Sequence, residues 1–145
     1  MRQRGLENPI MASDFYINGE IAQIAVDDYP GLTDGYGDAF RHAYWMALNS
    51  EMHGKDSALE FGLLHETSHV NSSASFNMDM NNNTWGATWG ASDLNNAFNF
   101  SSFYHAFNSS ISTGEISIIN EDSIPEEFDD YDPEDDGSGG DYTEY

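Results

Sequence analysis

Two runs with helical period meet at Gly54 with almost no chain left over for a connection. Phe40, Tyr44, Ala47 and Leu48, with Ala43 beside them, make one apolar stripe, and Ala58, Phe61, Gly62 and His65 share one face of the next run. Asp38 suits the N-cap of the first run and Gly54, after His53, its C′ position; Asp56 or Ser57 opens the second. Two helices joined so tightly fold back as an antiparallel hairpin. The remaining segments extend the same pattern. Residues 17–29 carry Ile21, Ile24, Ala25 and Asp28 at helical spacing and stop at Pro30-Gly31, which predicts a short helix, followed by a turn-rich stretch to Gly37. Residues 78–90 and 92–107 predict two further helices, and residues 114–119 a short strand or a last helical turn. The expectation is an all-α, single-domain bundle of roughly four to five helices over residues 17–119, after a loose lead-in over residues 1–16.

Charge sets the surroundings. The chain has 26 acidic residues against 4 basic ones, a formal net of -22. Residues 120–145 hold twelve of the acids and no Lys or Arg, with little apolar content, which predicts a disordered acidic tail. Phosphate backbones are held by Lys and Arg, so the composition argues against direct nucleic-acid binding and favours a cationic protein partner. An acidic surface also suits a high-salt source. Zero cysteines exclude disulfides, thiolate catalysis and Cys-ligated zinc. No apolar run approaches the roughly 20 residues of a membrane span, and no apolar h-region of a signal peptide follows Arg2 and Arg4.

The second helix ends in His65-Glu66-x-x-His69. Side chains four apart share a helix face, so His65 and His69 are placed to hold one metal ion, while Glu66, about 100° around, can serve a bound water. Within the 78–90 run, Asp79, Asn82, Asn83 and Gly86 sit at i, i+3, i+4 and i+7, the spacing of a core stripe. Buried there, they need polar partners, and Arg41, His42 and the His65-Glu66 pair can supply them. The blander reading makes Asp79 a helix cap with the asparagines in solvent. A structural ion pair of Arg41 with Asp79 or Glu66 is a further expectation. A third ligand would come from Asp79, Glu115 or His105; His53 is assigned no role.

The order Gly37-Asp38-Ala39-Phe40-Arg41-His42-Ala43-Tyr44-Trp45, then His65-Glu66, then Met78-Asp79-x-x-Asn82-Asn83-x-x-Gly86 resembles a bacterial domain family of unknown function, DUF6973, over roughly residues 20–120. The resemblance implies a small, mainly helical domain, sometimes at the end of long secreted or toxin-like proteins, and no known activity. It places His42, His65, Glu66, Asp79, Asn82 and Asn83 at motif positions. It stresses His-Glu without a second histidine, so on it His69 is particular to this chain and the site gathers from three helices.

Three functions stay open. The first is a metal-dependent hydrolase, with zinc or manganese on His65, His69 or His42, and Asp79, Glu66 as general base, and Asn82 or Asn83 holding the substrate or an oxyanion. The second is a non-catalytic interaction domain whose His, Asp and Asn side chains form a buried structural network. The third, from family context alone, is a toxin-like effector neutralised by a cognate immunity protein.

Overall fold

The computed structural model describes residues 9–68 and 72–126. Among them the fold is all-α: α1 (Pro9–Ala25), α2 (Tyr36–His53), α3 (Lys55–Thr67), α4 (Ser73–Ala91) and α5 (Phe100–Ser112), then a short 3-10 turn, Glu121–Ser123. No helix among these residues is long and apolar enough to cross a membrane.

α2 is the axis of the molecule. It is buried along nearly its whole length, from Tyr36 to Ser50, and packs against α1, α3 and most extensively α4. The Phe40 and Tyr44 side meets an aromatic layer from α5: the Phe40 ring lies 5.0 Å from Phe103 and 4.8 Å from Phe107, and the Tyr44 ring 4.7 Å from Phe103. On its other side α2 approaches α4 backbone to backbone. A Cβ built on Gly86 or Gly90 would overlap the carbonyl of Ala43 or Ala47, so only glycine permits the approach. The tight connection is as expected: Gly54 takes φ 92° and donates its N–H to Ser50, ending α2 one residue before α3 begins.

Several boundaries differ from expectation. α1 begins at Pro9, inside the expected lead-in, and stops at Ala25. Its inward face is Phe15, Asn18, Ala22 and Ala25. A polar Asn18, bonded to Asn49 at 2.9 Å, interrupts that apolar period and hides it from a pattern search. Asp38 is not a cap; it sits in the first turn of α2 and its carboxylate accepts from the Asp34 N–H at 2.8 Å, as a third helical residue reaching back does. The predicted helix over 92–107 is a loop to Asn99, which caps α5 by accepting from the Ser102 N–H, and Leu94 is fully exposed. Residues 114–119 form neither a strand nor a helical turn. Of the predicted tail, residues 127–145 lie outside the described residues, while Ser123 accepts from the Tyr36 N–H at 2.8 Å and ties its start to α2.

Candidate metal centre

The polar stripe of α4 faces inward. Ser72 caps this helix, and Asp79, Asn82, Asn83 and Gly86 are all buried, which sets aside the capping and solvent roles. Asp79 and Asn83 approach His42, which α2 turns toward α4 and α3. Asp38, one helical turn before His42, completes the group. One ligand atom each from Asp38, His42 and Asp79 lies within 4.8 Å of the others, and all three residues are buried.

The imidazole has two distinct sides. Nδ1 lies 3.3 Å from Asn83 Oδ1 and 3.2 Å from Glu66 Oε2. Nε2 lies 3.4 Å from Asp38 Oδ1 and 3.6 Å from Asp79 Oδ1. Arg41 donates to Asp38 Oδ1 at 2.7 Å and also stands 3.3 Å from Nε2, where it can only be a donor. The protonated ring donates from Nδ1 to Glu66 and from Nε2 to Asp38; only the neutral tautomer with its proton on Nδ1 leaves the Nε2 lone pair free on the side of the two aspartates. Asp79 Oδ1 is buried without a hydrogen-bond donor, whereas Glu66 Oε2 has the imidazole Nδ1 at 3.2 Å. A buried acceptor left without a donor is costly unless something satisfies it.

The electrostatics follow from three carboxylates around one histidine. Burial lowers the His42 pKa, but hydrogen bonds to Asp38 and Glu66, with the Asp79 charge behind them, overcome it and Arg41 and raise it to about 9. Burial raises Asp79; His42 opposes, the negative Asp38 and Glu66 reinforce it, and the carboxyl rises to about 7. Burial also acts on Asp38 and Glu66, but His42 outweighs it at both, and they fall below the ordinary carboxylate range. Two neighbouring carboxyls are thus driven in opposite directions, as happens both in acid–base sites and in buried structural ion networks. The group lines a polar cavity of about 260 Å³ together with Leu32, Thr33, Asp34, His65 and Ser75.

The expected residues are divided by this geometry. His42, Glu66, Asp79 and Asn83 come together. His65 reaches the cavity wall, its ring 6.5 Å from that of His42 and edge-on to Trp45 at 4.9 Å, outside the ligand group. Glu66, not His65, is the deeply buried member of the pair. α3 is described to Thr67, and His69 lies outside the described residues, so the i, i+4 histidine pair is not placed. Asn82 turns away: its amide donates to Ser117 O at 2.8 Å and accepts from Ser117 N at 2.9 Å, holding residues 115–118 against α4. His105 lines a separate cavity beside Trp89, Glu115 takes the Thr113 hydroxyl, and His53 pairs with Asp14 at 2.9 Å. Arg41 pairs with Asp38 in place of Asp79 or Glu66.

Asp38 is the member that pattern reading assigned elsewhere. Its signal was available, since Asp38 and His42 are four apart on one helix and share a face. None of the curated proteins and none of the solved structures matches this chain. One family pattern matches residues 5–115, well over half of the sequence, and the chain belongs to that family, described as Domain of unknown function (DUF6973).

Proposed function

We propose that the domain binds one divalent metal ion through Asp38, His42 and Asp79 and is a metal-dependent hydrolase. The observation that carries this reading is the buried, donor-free Oδ1 of Asp79 standing 3.6 Å from a histidine nitrogen that already faces a second carboxylate. Charge supports it. With His42 neutral, the three ionised carboxylates and Arg41 leave two negative charges in a buried site, which a divalent ion neutralises. Mixed nitrogen and oxygen ligands suit zinc or manganese. Asp38, His42 and Asp79 all line the 260 Å³ cavity, so an ion held by them would be reachable by a water and a substrate.

Glu66 stands beside the ligand group, touching His42 Nδ1. Its lowered pKa keeps it ionised, so it would serve as general base toward a water polarised by a bound ion. Asn83 and Glu66 also fix the imidazole orientation, the support that metal-bound histidines usually have. Asn82, committed to Ser117, is left out of substrate binding in this reading.

The test is metal content by elemental mass spectrometry after incubation with zinc or manganese, on wild type, Asp79→Asn and His65→Ala. Wild type and His65→Ala should hold near-stoichiometric metal and Asp79→Asn little. Loss of metal in His65→Ala with retention in Asp79→Asn would move the site to the His-Glu-x-x-His pattern, and an empty wild type would sink the reading. A second reading has its own observation, the raised His42 pKa. A protonated imidazole among three carboxylates is a self-sufficient structural network and needs no ion. It requires a melting temperature that a chelator leaves unchanged and that added zinc does not raise.

A further inference from the structure

α1 has two apolar faces, and the fold uses one. Phe15, Asn18, Ala22 and Ala25 are turned into the core. Ile10, Ile17, Ile21 and Ile24 remain 75%, 48%, 38% and 52% exposed. At 3.6 residues per turn the four isoleucines fall within an arc of roughly 60°, centred about 110° around the helix from the buried set. Ile10 to Ile24 spans about 21 Å at 1.5 Å per residue. Single exposed isoleucines are ordinary, but Ile17, Ile21 and Ile24 follow one another at i, i+4 and i+7, with Ile10 two turns before them beyond Ser13 and Asp14, and such a row marks a contact surface.

The charges around the stripe select its occupant. Asp14 and Glu20 flank it on the helix, Asp27 and Asp28 follow in the turn, and residues 9–28 contain no Lys or Arg. A second copy would set these acids, and a net charge of -22 per chain, against their like. An interfacial membrane helix draws on a Lys- or Arg-rich polar face, which α1 lacks. A helix with its own apolar stripe flanked by Lys or Arg satisfies both features at once, in the helix-on-helix mode of recognition.

We propose that the outer face of α1 docks a cationic amphipathic helix, with apolar side chains along Ile10, Ile17, Ile21 and Ile24 and basic side chains against Glu20, Asp27 and Asp28. The partner stripe needs about 14 residues, two heptads, to match the 21 Å. This surface is independent of the metal centre, and its test does not require the metal reading to hold.

The full chain is titrated calorimetrically with a synthetic 18-residue peptide carrying leucine at i, i+3, i+4 and i+7 and lysine elsewhere. The same titration is made on Ile17→Glu/Ile21→Glu, whose folding circular dichroism verifies. Both positions are exposed, so the variant keeps its core and adds negative charge. The proposal expects saturable binding to wild type and a loss of at least about tenfold in the variant. Purely electrostatic attraction gives the opposite sign, since the added acids would tighten binding. Absent, unchanged or tightened binding therefore overturns it. So does a concentration-dependent dimer that the variant abolishes, which would assign the stripe to a second copy. Wild-type binding to neutral phosphatidylcholine vesicles, lost in the variant, would assign it to a lipid surface.

Discussion

His42 is where the acid–base balance of this domain is decided. Its pKa is raised to about 9 and that of Asp79 to about 7, so in the folded, metal-free state both hold protons that the unfolded chain has released. A group with a raised folded pKa contributes stability below its unfolded value and loses it as pH climbs through its folded value. For Asp79 that window runs from the ordinary carboxylate range to about 7, and for His42 from about 6.5 to 9. Asp38 and Glu66 shift down and act oppositely, losing their contribution as pH falls below the ordinary carboxylate range. The chelator-treated protein should therefore be most stable in mild acid and lose melting temperature from pH 6 to 9. A fall of at least about 4 °C is expected, since 1 kcal/mol moves the midpoint of a domain this size by roughly that much. Zinc or manganese should reverse the trend, because an ion on Nε2 takes the proton's place and binds more tightly as pH rises. Differential scanning fluorimetry with chelator and with metal, at fixed ionic strength, reads both slopes. Parallel slopes would mean that metal and proton do not compete at this histidine.

At the scale of elements, the contact between α2 and α4 decides most. Its closeness rests on Gly86 and Gly90 beneath the backbone of Ala43 and Ala47. A helical Gly→Ala change ordinarily stabilises by about 0.5–1 kcal/mol. Here Gly86→Ala should do the reverse, costing about 3 kcal/mol or more, because the new methyl overlaps a carbonyl that cannot move without separating the helices. Urea unfolding measures this, and a neutral or stabilised variant would show that the helices stand further apart. That contact also explains what was legible in the sequence. The α2 stripe and the break at Gly54 could be read because apolar period and turn chemistry are local signals. The inward-facing polar stripe of α4 could be read because carboxamides at core spacing require partners. Asn18 and the isoleucines of α1 misled because the buried face holds a polar residue while the better apolar period faces solvent. Asn82 and Asn83 are neighbours in one motif, yet 100° of helix separates a side chain at His42 from one that holds Ser117. The run over 92–107 had enough phenylalanine for a helix. The cap at Asn99 that starts α5 late is a competing local bond that period alone does not weigh.

Across the whole molecule, acidity sets the electrostatic background of the buried His42 cluster and of the outer face of α1. A chain with 26 acids and 4 bases repels itself when compact. One of the four bases, Arg41, is already held by Asp38 at the centre. Monovalent salt should therefore stabilise this protein, where it usually leaves a balanced surface almost unaffected. The screening length shrinks from about 30 Å at 0.01 M to about 10 Å at 0.1 M and about 3 Å at 1 M. Most of the gain should thus arrive as distant acids are screened, below about 0.2 M, with a slower rise beyond. A site-bound divalent ion behaves differently, saturating near one equivalent and acting on top of a fully screened background. Melting the chelator-treated protein across a sodium chloride series, then repeating the series with one equivalent of zinc, separates the two. The expected result is a rising curve without metal and a second curve displaced upward by a nearly constant amount. Melting temperatures that stay flat or fall with salt would show that the acids are spaced or paired so as not to oppose folding. A zinc displacement that vanishes at high salt would make the ion a diffuse counterion, and the Asp38–His42–Asp79 group a structural network.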